Sequence, residues 1–242
     1  MKFLTEKKKL LSMIAMICLA AVFCVTAINA LIDMFGQFKN MFATFGFFLL
    51  SASSLIGSFL GVATAACYAG AAFFQWKQGD HKKILALAGL CSLACLFVNF
   101  VYQIIFFIVF DNFQFSTLVS QFFGDVIPFL FAAYLVVFSL MKVKSPAVPI
   151  AGAVLIVLLC GSGILGVISS LITYITVFSR HFSWDFVWRI ITILFQGGLD
   201  IISCAGLLLL VPLAFYSPKE EAAEEAIEEA AAEEVIEEVI AE

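Results

Sequence analysis

The sequence predicts an all-α fold, a polytopic transmembrane helix bundle of about six spans, and three observations carry that prediction. Of the 242 residues, 63% are hydrophobic and 28 are Phe, whereas soluble domains run at roughly 45–50% apolar. Polar clusters divide the apolar sequence into six runs, all but the fourth at least as long as the roughly 20 residues a helix needs to cross a hydrocarbon core about 30 Å thick. Lys residues gather in alternate connections. The lipid bilayer is therefore the first expected partner, and nucleic acid is not expected as one.

The spans are Leu10–Ile32, Leu49–Phe74, Ile84–Phe110, Val126–Met141, Val148–Phe178 and Phe186–Phe215. The first shares features with a secretory signal peptide: "EKKK" before it, and "VTA" ending at Ala27 as a cleavage site. Its apolar run from Leu10 exceeds the roughly 7–15 residues of a signal-peptide core, and no lipobox precedes Cys18 or Cys24, so an uncleaved span is expected.

After the first span, Phe35, Phe38, Phe42 and Phe45 recur at helical spacing, with Asp33, Gln37, Asn40 and Thr44 on another face. That pattern predicts an amphipathic helix lying in the outer interface. Phe115, Leu118 and Phe122 repeat it more weakly before the fourth span.

In the second span Ser53, Gly57, Gly61, Ala65 and Ala69 form a small-xxx-small ladder, which predicts close approach of a neighbouring helix. The loop Gln75–Lys83, "QWKQGDHKK", reads as a basic interfacial anchor in which His81 is exposed; His181, in an outer loop, reads the same way. The third span places Asn99, Tyr102 and Gln103 on one face. Its Cys91 and Cys95 also share a face, but like the other five cysteines they lie in apolar sequence without histidine, so packing is expected and no metal site. The fourth span is short and is expected to begin nearer Leu118, with Pro128 kinking it or opening its first turn.

The sixth span carries the most informative residue. Asp200 lies near its middle, where a charged carboxylate costs at least a few kcal/mol unless it holds a proton, pairs or faces water. No Lys or Arg lies at comparable depth. Arg189 is 11 residues away, about 16 Å along the axis, and Asp185 is its nearer partner. Gln196 stands one turn above Asp200. Gly197 and Gly198 give the helix a place to open, and "CGSG" (Cys160–Gly163) interrupts the fifth span near its centre. Paired glycine interruptions of this kind accompany solute and ion sites in transporters. Asp200, Gln196, Asn99 and Gln103 are accordingly the candidate contacts for a small solute or a cation.

Catalysis is not expected. "GGLD" (Gly197–Asp200) differs from the Gly-x-Gly-Asp of intramembrane aspartyl proteases in the place of its second Gly, and no second mid-membrane Asp is evident to share a proton. "GSG" around Ser162 lacks the flanking glycine of a nucleophile elbow and has no intramembrane His as base. There is no HExxH, P-loop or dinucleotide fingerprint, and no cofactor is implied.

From Ser217 onward eleven Glu stand against one Lys, while the preceding 216 residues hold twelve Lys and Arg against seven acids. The chain thus divides into a bundle, residues 1–216, and an acidic tail, residues 217–242. Glu221, Glu225 and Glu229 repel one another at i, i+4, so a frayed or disordered helix is expected there. With both termini inside, ten Lys and Arg fall on cytoplasmic segments and three (Lys39, Arg180, Arg189) outside, which predicts an N-in, C-in protein of the plasma membrane. Two functions are consistent with these features: a small-solute or ion-coupled transport or binding subunit using the polar site around Asp200, and a non-catalytic scaffold or regulator whose acidic tail docks a basic protein surface.

Overall fold

The computed structural model describes residues 2–40, 45–77, 79, 81–110, 115–141, 145, 147–178 and 184–215. Among these, every regular element is a helix: α1 Lys2–Asn40, α2 Phe45–Trp76, α3 Lys82–Phe110, α4 Phe115–Leu140, α5 Ala147–Phe178 and α6 Trp184–Phe215. Five are long and apolar enough to cross a membrane, and within α4 the described apolar stretch is the shorter Gly124–Leu140. Helices of this length and composition are those of a multi-pass membrane protein. The acidic tail, Phe42, Thr44 and His181 lie outside the described residues.

Three features differ from the expectation. The interfacial helix after the first span is not separate: α1 runs without a break through Asn40. Gly36 is the weakest helix former there and no Pro interrupts the stretch, and continuing the helix keeps each backbone N–H and C=O paired where a turn near lipid would leave some open. Phe35, 73% exposed, thus projects from the end of α1. The fourth helix starts at Phe115, earlier than Val126 or Leu118, and Pro128 stands about three turns inside it. Finally, α5 and α6 pass through their glycines as continuous helix, with no unwound turn at Cys160–Gly163 or Gly197–Gly198.

Each helix packs on the next in sequence, α6 returns to α1, and α2 touches α6 across the ring. Among neighbours around the ring, the α4–α5 seam is the thinnest. All six helices share one core, and it lies in the half of the bundle where Lys7–Lys9 of α1, Lys77 after α2, and Lys82 and Lys83 of α3 stand: Leu19, Tyr68, Leu85, Leu135, Ile156 and Leu210 belong to it. Glycines permit the closest approaches. A Cβ on Gly89 would stand 2.8 Å from the Ala132 carbonyl oxygen, one on Gly152 would stand 2.5 Å from the Tyr134 hydroxyl, and one on Gly206 would stand 2.8 Å from Leu19 Cγ. The Tyr134 hydroxyl in turn donates to the Val148 carbonyl at 2.8 Å, tying α4 to α5. Towards the far end the helices touch in pairs, Gly46 against Val109 and Gly197 against Val167.

Aromatic residues mark both ends. Trp184 and Trp188, 86% and 70% exposed, stand at the far end of α6, and Trp76 closes α2 at the lysine end, where membrane–water interfaces favour such rings. His81 is not simply exposed as the sequence suggested. Its Nδ1 lies 3.0 Å from the Gly79 carbonyl and its Nε2 3.4 Å from that of Ala214, which joins the α2–α3 connection to the end of α6. Beside it, the amide Nε2 of the buried Gln75 donates to the Leu210 carbonyl at 3.4 Å.

Candidate functional site

The polar residues of α1 and α6 form two facing stripes. On α1, Thr26, Asn29 and Asp33 follow at +3 and +4; on α6, Gln196, Asp200 and Ser203 follow at +4 and +3, spacings that keep each set on one helix face. The contact of Gly206 with Leu19 and Cys18 sets the antiparallel register of the two helices. Six residues up α6 and seven up α1, at about 1.5 Å each, Asp200 and Thr26 reach the same level.

Between the stripes lies a cavity of about 320 Å³, lined by Thr26, Asn29 and Asp33 of α1, by Ser58 and Gly61 of α2, and by Gln196, Asp200 and Ser203 of α6, with Val22, Ala30 and Leu199 as apolar wall. No Lys, Arg or His is among these lining residues. A smaller cavity of about 200 Å³ adjoins it through Val22, Gly61 and Ser203 and extends towards Thr64, Tyr68, Ser92 and Cys95. Leu19 and Tyr68, which line the smaller cavity, belong with Leu207 to the shared core.

The larger cavity is rich in oxygen acceptors. Thr26 Oγ1 donates to the Val22 carbonyl at 2.8 Å, so its hydrogen is used within α1 while its lone pairs remain to accept. Thr64 on the smaller cavity is arranged the same way, 2.8 Å from the Leu60 carbonyl. Gln196 lies within hydrogen-bonding reach of Asp200 one turn along α6. Asp33, Asn29, Gln196 and Asp200 are exposed residues, and all four line the cavity. Carboxylates so placed at membrane depth need water, a proton or a cation beside them.

Of the four residues singled out in the sequence, Asp200 and Gln196 line this cavity, and Asn99 and Gln103 line neither one. Asn99 belongs to the α2–α3 seam. Its Nδ2 lies 3.9 Å from Cys95 Sγ, Cys95 Sγ lies 3.7 Å from the Gly57 carbonyl, and a Cβ on Gly57 would stand 3.3 Å from Asn99 Oδ1. The ladder on α2 divides accordingly. Ser53 and Gly57 are buried against neighbours, whereas a Cβ on Gly61 would meet nothing within 4 Å, and Gly61 and Ala65 open onto the cavities.

Sequence reasoning missed Asp33, Asn29 and Thr26. The signal was present: the polar face drawn through Asp33 and Gln37 continues backwards through Asn29 and Thr26 into the first span. It also missed that Asp125 stands ten residues inside α4, because the helix begins at Phe115. Asp125 acts near Cys95 on α3 and does not line the Asp200 cavity. Asp33 does share that cavity, but the α1–α6 register separates it from Asp200 by about eight residues, or about 12 Å along the axis, too far for a proton-sharing pair.

The glycines near Asp200 serve packing at one position only: a Cβ on Gly197 would stand 2.7 Å from Val167 Cγ2, while Gly198, Gly161 and Gly163 meet nothing within 4 Å. All seven cysteines are free thiols. Two pairs, Cys67 with Cys91 and Cys160 with Cys204, face each other across helix seams. Among the described residues no three His, Cys, Asp or Glu side chains converge. No protein-family model, no curated protein and no solved structure matches this chain.

Proposed function

We propose that the bundle binds and translocates a small solute or cation, and that Asp200 and Gln196, with Asp33 on the facing helix, provide the polar contacts. The observation that carries this reading is the cavity itself: two carboxylates, two amides and three hydroxyls line one space at membrane depth with no basic side chain among them. Such a lining favours a cation, a protonated amine or a hydroxyl-rich solute over an anion, because unpaired carboxylates in a medium of low dielectric repel negative charge. The shared core below the cavity supports a site open towards one side of the membrane and blocked towards the other, one of the two states that alternating access requires. Continuous helices at Gly197 and Gly198 favour contacts made by side chains rather than by freed backbone carbonyls.

The test is substitution at Asp200, read as uptake by vesicles containing the purified protein. Asp200→Asn keeps the shape and the hydrogen bond to Gln196 but cannot hold a counter-charge. It is expected to leave abundance within about twofold and to reduce cation- or proton-linked uptake at least tenfold. Labelling by an apolar carbodiimide, which attacks protonated carboxyls, is expected at Asp200 and is expected to fall when Na⁺ or the solute is present. If Asp200→Leu leaves uptake unchanged, the carboxylate is not a contact and the reading fails.

A further inference from the structure

The start of α1, the end of α2, the start of α3 and the end of α6 meet at one end of the bundle. Lys7 and Lys9, Lys77, and Lys82 with Lys83 are exposed there, and aromatic rings fix two of them in place. Lys77 Nζ stands 5.2 Å over the Trp76 ring and 5.8 Å over that of Phe73, and Lys82 Nζ stands 5.9 Å over the ring of Phe215. Counting all connections that belong to this end, residues 1–9, 75–83 and 141–146, the sequence holds nine Lys against two acids, Glu6 and Asp80. The described chain ends at Phe215, directly beneath Lys82. The remaining segment, residues 216–242, holds eleven Glu and one Lys.

We propose that this acidic tail lies back on the lysine-bearing end of its own bundle, which is thus its docking surface. Charge complementarity is the first argument: the most acidic segment of the chain is attached at its most basic face. Reach is the second. Glu220 and Glu221 come five and six residues after Phe215, so at roughly 3.5 Å per residue they extend up to about 20 Å from it, across about two helix diameters. Lys82, whose ammonium stands over the Phe215 ring, falls inside that radius with Lys83 next to it in α3, and the α1–α6 register set by Gly206 against Leu19 brings Lys9 of α1 near the level of Phe215. Tethering is the third, since a short covalent link keeps the local concentration of the tail near the millimolar range. Exposed ion pairs that are individually weak then act together without any free-partner cost. The docking also relieves the i, i+4 repulsion between successive glutamates of the tail.

The surface serves its own chain first. A bundle whose lysines are covered this way presents less attraction to anionic lipid headgroups, which seek the same ammonium groups, and a basic protein partner for the tail has to displace the bundle. Tail docking is independent of the Asp200 cavity and stands or falls separately from it.

Zero-length carbodiimide coupling tests it on the full chain in nanodiscs of zwitterionic lipid, using equal amounts of ¹⁴N- and ¹⁵N-labelled protein and mass spectrometry of the joined peptides. The expected result is amide links from Glu220–Glu238 to Lys77, Lys82, Lys83 or the lysines of α1. The joined peptides are expected to carry one isotope throughout. Their yield should fall at least fivefold between about 20 mM and about 1 M salt, where the screening length drops to about 3 Å. Links joining the two isotopes in random proportion identify a second copy as the occupant and overturn the proposal. So does the absence of tail–bundle links, or a yield indifferent to salt. Addition of phosphatidylserine is expected to lower the yield, and an increase contradicts competition for one set of lysines.

Discussion

Single residues decide which helices stay joined, and Tyr134 shows it most plainly. Its ring is buried between α4 and α5 and stands against Phe138 and Phe215, with centroids 5.0 and 5.7 Å away. Its hydroxyl gives the Val148 carbonyl a second donor beyond the helix's own. Tyr134→Phe keeps the ring contacts and removes that one bond. It is expected to lower stability by about 1 kcal/mol, read from denaturant unfolding in detergent, whereas no change would mean that the α4–α5 seam is held by packing alone. At the cavity, Asp200 was legible in the sequence because an acid in an apolar run has few bland explanations. Asp33 stands where hydropathy ends the first span, a position that reads as an interface. Asn99 and Gln103 share depth with the polar site but not direction, and a helix face read from spacing does not say which neighbour it meets.

At the level of elements, hydropathy locates each helix and misplaces its ends, because the helices outrun the hydrocarbon that hydropathy measures. At about 1.5 Å per residue, the 39 residues of α1 make a rod nearly twice as long as a bilayer core is thick. The small-residue ladder on α2 gives a sharper lesson. Glycine spacing reveals where a helix has no Cβ, but only the neighbour determines whether that space is filled. Gly61 opens on a cavity, and the tightest approach of α3 to α4 falls instead at Gly89, outside the ladder. A matched pair of substitutions tests this. Gly89→Ala places a methyl 2.8 Å from a backbone oxygen and is expected to cost about 1–3 kcal/mol. Gly61→Ala meets nothing and is expected to be neutral or to stabilise α2 by up to about 1 kcal/mol. Thermal unfolding of the two variants in one detergent checks the order, and a greater loss at Gly61 would mean that α2 packs through Gly61 as well as through Gly57.

For the whole molecule the distribution of contacts matters more than any one of them. A core shared by six helices fills the half nearest the lysines, the other half is held by helix pairs, and the oxygen-lined cavity sits where the two regimes meet. Lysines on the inside, the orientation the positive-inside bias expects, would turn the cavity outward above the shared core, and the proposed function takes that orientation. That arrangement predicts water at the level of Asp200, and thiol accessibility measures it most directly. In a cysteine-free background, Thr26→Cys, Ser58→Cys and Ser203→Cys are exposed in turn to a charged, membrane-impermeant thiol reagent added outside intact cells. Leu165→Cys, on an exposed apolar surface of α5, and Ala88→Cys, in the core, serve as references. All three cavity positions are expected to react at least tenfold faster than either reference, and Na⁺ or a transported solute is expected to slow them. Cavity cysteines as inert as Leu165→Cys, or reactive only from the cytoplasmic side, would contradict an outward-facing polar site at Asp200.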